Sequence, residues 1–238
     1  MTLFQLILVA LIQGITEFLP VSSSGHLILL PGLTGMADQG QLIDVAVHVG
    51  TLGAVVVYFW SDVRDGLIGL PRALTGRIDT PGARLAFLLI VATIPVVLFG
   101  AVLHLTGLDD RMRSVAVIGW AMLIFGLVLW WADRTGAETR TAPQWNTRDA
   151  LVMGLWQALS LIPGTSRSGI TITAARQLGY ERKDAAKLAM LMSIPTILAS
   201  AILLGAEVAI DANTAAARDG AIAAALAFIA ALLALSLM

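Results

Sequence analysis

The sequence predicts an all-α polytopic membrane protein, and three observations carry this prediction. Hydrophobic residues make up 58% of the 238 residues and charged residues only 13%, which is more apolar surface than a water-soluble domain of this length can bury. Several apolar segments approach the ~20 residues with which a helix spans a bilayer. Two further apolar segments are interrupted in the middle and align with each other.

Five segments are predicted to be continuous membrane spans because each is apolar over most of the length of a membrane helix. They are Leu42–Trp60, Leu85–Leu105, Val115–Ala132, Ala185–Ala206 and Ala221–Met238. The net charge of −1 gives no indication of a nucleic-acid partner. The absence of cysteine from the sequence excludes disulfides, zinc-thiolate sites and thiol nucleophiles. No basic leader precedes the first apolar run, so a cleaved signal peptide is not expected.

The segments Leu3–Leu30 and Leu151–Thr173 are predicted to be re-entrant or broken helical hairpins, because Gly, Pro and Ser interrupt both of them. Irregular backbone at membrane depth is tolerated only inside protein or beside a wet cavity. If neither hairpin crosses the membrane, the loops predicted to lie outside hold only Arg111, Arg113 and Arg218. The other basic residues then lie inside, as the positive-inside rule requires, and the hairpins enter from opposite faces.

The two interrupted segments match each other at one fixed offset without a gap. The aligned pairs are Leu11 with Leu155, Gln13 with Gln157, Ser22 with Ser166, Ser24 with Ser168, Gly25 with Gly169 and Ile28 with Ile172. Together with opposite entry, this predicts an inverted-topology repeat within a single integral domain, residues 1–238, whose hairpin tips meet near the bilayer midplane. Chance matching of small and apolar residues is the alternative.

The repeat halves are expected to cover residues 1–132 and 149–238. The first half has three candidate spans after its hairpin, whereas the second half has two. We therefore expect that the second half lacks its last helix because the sequence is truncated.

The first hairpin places oxygen-bearing side chains where they can act together. Gln13 and Glu17 are four residues apart and share one helical face. An amide and a carboxylate suit a hard divalent cation, Mg²⁺ or Ca²⁺, that can bridge phosphate oxygens. Downstream, hydroxyls and an imidazole follow on an irregular turn, and they are predicted to be either a nucleophile with its base or a phosphate-binding cluster with a general acid. These residues are Ser22, Ser23, Ser24 and His26.

The second hairpin carries a turn that opens into a helix, which is an arrangement that binds anions through backbone N–H groups and hydroxyls. The candidate anion-binding residues are Gly164, Thr165, Ser166, Arg167, Ser168 and Thr171. Arg167 adds a planar guanidinium suited to two phosphate oxygens. Because an unpaired Arg in the membrane is costly, Arg167 requires either Glu17 or a bound phosphate, and both require the hairpins to meet.

Structural interpretations compete with the functional ones. Ser and Gly clusters in membrane helices most often serve close helix packing. His48 and His104 are interpreted as packing or interfacial histidines, and Asp44 as a helix-start residue or an outer part of the site. Glu17, His26 and Arg167 are harder to assign to packing because each lies in an interrupted apolar segment.

These motifs resemble those of the undecaprenyl-diphosphate phosphatases, also called bacitracin-resistance proteins. The first motif reads Gln13-Gly-Ile-Thr-Glu17-Phe-Leu-Pro-Val-Ser-Ser-Ser-Gly-His26, and the second reads Pro163-Gly-Thr-Ser-Arg-Ser-Gly-Ile-Thr171. The similarity extends over nearly the whole chain, including Ile194-Pro195. Many members have Glu where this chain has Gln13, and family members end with a further apolar helix.

The resemblance implies hydrolysis of undecaprenyl diphosphate to undecaprenyl phosphate and inorganic phosphate, which recycles the carrier lipid for cell-wall synthesis and confers bacitracin resistance. It implies that Glu17 and Gln13 belong to the metal and acid/base cluster. Ser23 and His26 become the leading nucleophile or proton-transfer candidates. Arg167, with Ser166, Ser168 and Thr171, is expected to hold the diphosphate.

The resemblance further implies a polyprenyl diphosphate substrate, a homodimer, dependence on a divalent cation, and a bacterial inner (cytoplasmic) membrane location with a site facing the periplasm. Attack by Ser23, by His26 or by water stays open. A transporter or flippase of a phosphate-bearing lipid is the main alternative, since inverted repeats with broken helices are typical of carriers. A membrane scaffold is a third possibility, but it does not account for Glu17 and Arg167.

Overall fold

A computed structural model of the chain describes residues 1–108, 112, 114–211 and 214–237, with side chains for all of these except 204–211. Its described residues form α-helices joined by short connections. The helices are α1 (Leu3–Thr16), α2 (Ser23–Thr34), α3 (Gly40–Tyr58), α4 (Trp60–Leu74), α5 (Pro81–Thr106), α6 (Val115–Thr135), α7 (Thr147–Ala158), α8 (Arg167–Gln177), α9 (Arg182–Asp211) and α10 (Thr214–Leu237). The predicted all-α fold is confirmed.

The helices α3, α5, α6, α9 and α10 are long and apolar enough to cross a membrane, so the five predicted spans are confirmed. Their ends differ from the predicted ends by up to seven residues, the largest difference being the start of α10 at Thr214 instead of Ala221. For example, α5 begins at Pro81 because the Thr80 side chain accepts a hydrogen bond from the Ala83 N–H at 3.1 Å and so caps the helix. Arg111, Arg113 and Met238 lie outside the described residues.

Helix α4 lies between the predicted spans Leu42–Trp60 and Leu85–Leu105, where no helix was predicted. It packs against α5 along its length, with Gly69 and Ala73 buried between them. Its apolar residues lie on one face and charged residues on the other, so a search for continuous apolar runs does not detect it.

Both predicted hairpins are interrupted helices. The first consists of α1, a six-residue turn and α2, and the second of α7, a short 3₁₀ segment (Leu159–Leu161) and α8. The turns end in the same way: Ser22 accepts a hydrogen bond from the Gly25 N–H, Ser166 accepts one from the Gly169 N–H, and both distances are 3.1 Å. The aligned serines therefore cap equivalent helices.

Each hairpin packs against a long helix from the opposite half of the chain. Helix α1 lies on α10, and α7 lies on α5. Small residues allow the close approach: a Cβ atom on Gly14 would stand 2.5 Å from the Ala230 Cβ, and one on Gly154 would overlap the Ala92 main chain. This crossed packing is what a two-fold repeat predicts. The repeat boundaries and the faces from which the hairpins enter stay predictions.

Candidate functional site

The two hairpins meet through an ion pair between residues 150 positions apart. Glu17 caps the C-terminus of α1 and is 6% exposed, and Arg167 is the first residue of α8. The Arg167 Nη2 donates to the Glu17 Oε1. A second bond runs between the same hairpins, from the Ser168 Oγ to the Leu19 carbonyl at 2.6 Å. Arg167 thus has the Glu17 partner that its position requires.

The other Glu17 oxygen accepts two hydrogen bonds from within the first hairpin. Gln13 Nε2 and Ser23 Oγ each donate to the Glu17 Oε2 at 2.7 Å. Gln13 reaches the carboxylate because it lies one helical turn earlier on α1, and Ser23 reaches it because the chain reverses before α2. The buried carboxylate is therefore compensated by one cation and two neutral donors, as a buried charge requires.

Arg167 is also tied to α9. Its Nη1 donates to the Ser193 carbonyl at 3.1 Å, so the guanidinium joins three elements of the fold. In the described part of the chain these bonds engage two of the five N–H groups of the guanidinium. The side chain retains 15% exposure, and it can donate to a further anion without leaving Glu17.

The turn before α8 is held tightly against α6. Gly164 has φ +93°, a conformation that favours glycine, and a Cβ there would stand 2.5 Å from the Ile118 carbonyl oxygen. The Thr165 Oγ1 is buried and has no hydrogen-bond partner within the described residues. Thr171 is fully buried, and its hydroxyl donates back to the Arg167 carbonyl at 2.8 Å. Thr165 is therefore the better placed of the two threonines for a ligand.

The serines flanking each turn are paired in equivalent ways. The Ser22 and Ser24 hydroxyls are 3.2 Å apart, and those of Ser166 and Ser168 are 3.0 Å apart. His26 is exposed, and its Nδ1 lies 2.6 Å from the Ser22 carbonyl oxygen. The described contacts of Glu17 do not include His26, so of the two nucleophile candidates only Ser23 touches the carboxylate.

His48 was not expected at this site. The structure places its Nε2 3.7 Å from the Glu17 Oε2, whereas the sequence interpretation made it a packing or interfacial residue. The signal available in the sequence was an ionisable residue inside the α3 span, and such residues are costly enough in a membrane to suggest a site. A lone histidine gives no indication of its partner.

The expected divalent cation fits the donors present here. The Gln13 Oε1 is fully buried without a hydrogen-bond partner in the described part of the chain, beside the Glu17 carboxylate. Within the described residues, no three His, Cys, Asp or Glu side chains form a metal cluster. One carboxylate and one amide oxygen are still sufficient for a cation that also binds phosphate oxygens.

Taken together, the contacts combine a guanidinium, a helix N-terminus and a hydroxyl bonded to a carboxylate. The guanidinium and the N-terminus of α8 bind anions. The Ser23 hydroxyl has a base in hydrogen-bond range, which is the geometry of an activated nucleophile. The site is therefore suited to binding a phosphate group and transferring it.

Comparison with known proteins gives consistent results. A family model described as "Bacitracin resistance protein BacA" matches residues 6–238. Over 238 residues, the chain is 76% identical to the "Undecaprenyl-diphosphatase" of Ruegeria pomeroyi and 68% identical to that of Jannaschia sp., covering all of this chain and 89% of each relative. It is 47% identical to "Undecaprenyl-diphosphatase 1" of Rhodospirillum rubrum, over all of this chain and 86% of that protein.

Proposed function

Because the chain belongs to the bacitracin resistance protein BacA family, we propose that the contact between Glu17 and Arg167 is the centre at which it acts on its lipid substrate. The chain is a membrane hydrolase that converts undecaprenyl diphosphate to undecaprenyl phosphate and inorganic phosphate. The reaction recycles the carrier lipid for cell-wall synthesis and confers bacitracin resistance. The names of the relatives denote a hydrolase and not a transporter.

The observation that supports this assignment most directly is the buried ion pair between the hairpins. A charged pair gains little stability from burial in an apolar medium, since desolvation offsets much of its attraction. A function for the charges accounts for their retention. In the proposed complex Arg167 binds phosphate oxygens, together with the N-terminus of α8 and the residues around it. Those residues are Gly164, Thr165, Ser166, Ser168 and Thr171, and Ser22 and Ser24 supply further hydroxyls from the first hairpin.

Ser23 is the proposed nucleophile because its hydroxyl donates to Glu17 at 2.7 Å. The Ser23 Oγ forms a bond to the terminal phosphorus while the anhydride P–O bond breaks, and the Ser23 proton passes to Glu17. Undecaprenyl phosphate leaves, and water then hydrolyses the phosphoserine to release inorganic phosphate. His26, which is exposed near the same turn, is assigned proton transfer. The charge on the terminal phosphate is stabilised mainly by Arg167.

Gln13 and Glu17 are the proposed holders of a divalent cation, Mg²⁺ or Ca²⁺. When bound, it would supply positive charge to the phosphate oxygens. The buried Gln13 Oε1, which has no hydrogen-bond partner among the residues that the structure describes, supports this proposal. Gln13 provides one negative charge fewer than a glutamate would, so cation affinity is expected to be modest.

Ser23→Ala is expected to reduce phosphate release from a polyprenyl diphosphate in detergent by about 10³-fold or more, because the nucleophile is lost. Ser236→Ala is a matched control, since that hydroxyl donates within α10, to the Leu233 carbonyl, and it should retain wild-type activity. A trapped phosphoenzyme labelled on Ser23 would support the assignment. Near-wild-type activity of Ser23→Ala would transfer the role to His26 or to water.

We also propose that the protein lies in the bacterial inner membrane and that its site opens to the periplasm. The chain has no cysteine, so single cysteines can report sidedness. In cells with a permeabilised outer membrane, an impermeant maleimide is expected to label His26→Cys, whereas Arg72→Cys on the exposed part of α4 should react only after lysis. The reverse pattern would contradict the proposed orientation.

A homodimer is proposed from the family resemblance. Light scattering of the detergent-solubilised protein, corrected for bound detergent, is expected to give twice the 25.1 kDa of one chain. A mass of one chain would contradict it.

A further inference from the structure

His48 brings a ring nitrogen to the Glu17 carboxylate, beside which the Gln13 Oε1 has no hydrogen-bond partner among the described residues. The side chain of Glu17 is 4% exposed, and that of His48 is 32% exposed. Glu17 directly follows α1 and His48 lies in α3, and these two helices pack against each other. Their approach is therefore a property of the tertiary fold rather than of local sequence.

The tautomer of His48 is determined by its other nitrogen. The Nδ1 lies 2.7 Å from the Asp44 carbonyl oxygen, and a carbonyl only accepts, so Nδ1 carries a proton and donates it. In the neutral ring Nε2 then has a free lone pair, and this lone pair is on the side of Glu17. Metal-binding histidines are commonly oriented by such a bond to a backbone carbonyl.

The separations suit ligands that share one cation. The distance of 3.7 Å between the His48 Nε2 and the Glu17 Oε2 is too long for a hydrogen bond. Ligands about 2.1 Å from one ion lie about 3 Å apart when adjacent and about 4 Å apart when opposite. The Gln13 amide nitrogen lies 2.7 Å from the same Glu17 oxygen, and a half-turn of the amide brings its Oε1 to that position.

We propose that His48 is the third protein ligand of the divalent cation held by Gln13 and Glu17, and that its nitrogen lets the site bind Mn²⁺ or another first-row transition metal as well as Mg²⁺ and Ca²⁺. Imidazole favours transition metals, whereas Mg²⁺ and Ca²⁺ favour oxygen ligands. The inference rests on the cation site of the proposed function. It adds a ligand and a metal class to that site.

The test uses Mn²⁺ and the untagged full chain in detergent, because a histidine tag would itself bind metal. Electron paramagnetic resonance measures bound Mn²⁺, and electron spin echo modulation detects a coordinated nitrogen. We expect nitrogen modulation in the wild type, and we expect it to change to the ¹⁵N pattern when the protein is grown on ¹⁵N-histidine. His48→Gln should abolish the modulation and weaken Mn²⁺ binding about tenfold or more. His26→Gln and His104→Gln should retain the modulation.

The outcomes separate this inference from the function on which it rests. Mn²⁺ that is lost in Glu17→Gln but shows no histidine nitrogen would overturn the role of His48 and leave the oxygen site in place. No Mn²⁺ binding by the wild type would overturn the inference as well. Phosphate release with Mg²⁺ or Ca²⁺ by the same preparation tests the hydrolase function independently. The ¹⁵N-histidine measurement needs no variant, so misfolding of His48→Gln does not affect it.

Discussion

Arg167→Ala is expected to reduce phosphate release by about 10³-fold or more, because an arginine that stabilises the charge of a transferring phosphoryl group contributes this much in related chemistry. Arg167→Lys should recover little, since an ammonium cannot reproduce the bonds of one guanidinium to Glu17, to the Ser193 carbonyl and to phosphate. The measurement is release of inorganic phosphate from a polyprenyl diphosphate in detergent.

Arg64→Ala is the matched control for this prediction. Arg64 is an exposed arginine on α4, a helix that packs mainly against α5, and its variant should retain wild-type phosphate release. If the activity of Arg167→Ala is within a few-fold of that of Arg64→Ala, the hairpin contact does not take part in the reaction.

Glu17→Gln is expected to lower both stability and activity. The substitution leaves the buried Arg167 without its counter-ion, and breaking a buried pair in this way costs about 3–5 kcal/mol. Adding Arg167→Met should restore much of that stability, because the second charge is then removed as well, but it should not restore phosphate release. Thermal unfolding and phosphate release, measured on the single and double variants, separate the two roles of the pair.

Glu181→Gln serves as the control for the stability measurement, since Glu181 is exposed at the start of α9 and its loss should change the unfolding midpoint little. A double variant no more stable than Glu17→Gln would show that the pair is not the source of the loss. A double variant with wild-type activity would refute the proposed site.

Much of the fold follows from the sequence because membrane helices have a strong one-dimensional signal. Length and apolarity identify α3, α5, α6, α9 and α10, and the Gly, Pro and Ser interruptions identify both hairpins. The sequence also limits the partner of Arg167 to Glu17 or a bound phosphate, since an unpaired arginine in the membrane is costly, and the structure places Glu17 there. These inferences need only the amino-acid sequence and the apolar nature of the membrane interior.

The remaining features depend on tertiary packing. The position of His48 beside Glu17 results from how α3 lies against α1, and no spacing in the sequence reports it. The Ser193 carbonyl that binds Arg167 is backbone and carries no residue signature. Helix α4 was missed for another reason: its polar face interrupts the apolar run on which a search for spans depends.

The distance in sequence between the two hairpins has a consequence for biosynthesis. Glu17 is made 150 residues before Arg167, which at ordinary rates of translation corresponds to roughly 8–30 s. During that interval the nascent chain contains Glu17 but not its counter-ion Arg167. Helix α10, against which α1 packs, is synthesised later still. The contacts that fix the first hairpin in the folded protein are therefore completed only after the second hairpin and α10 have been synthesised.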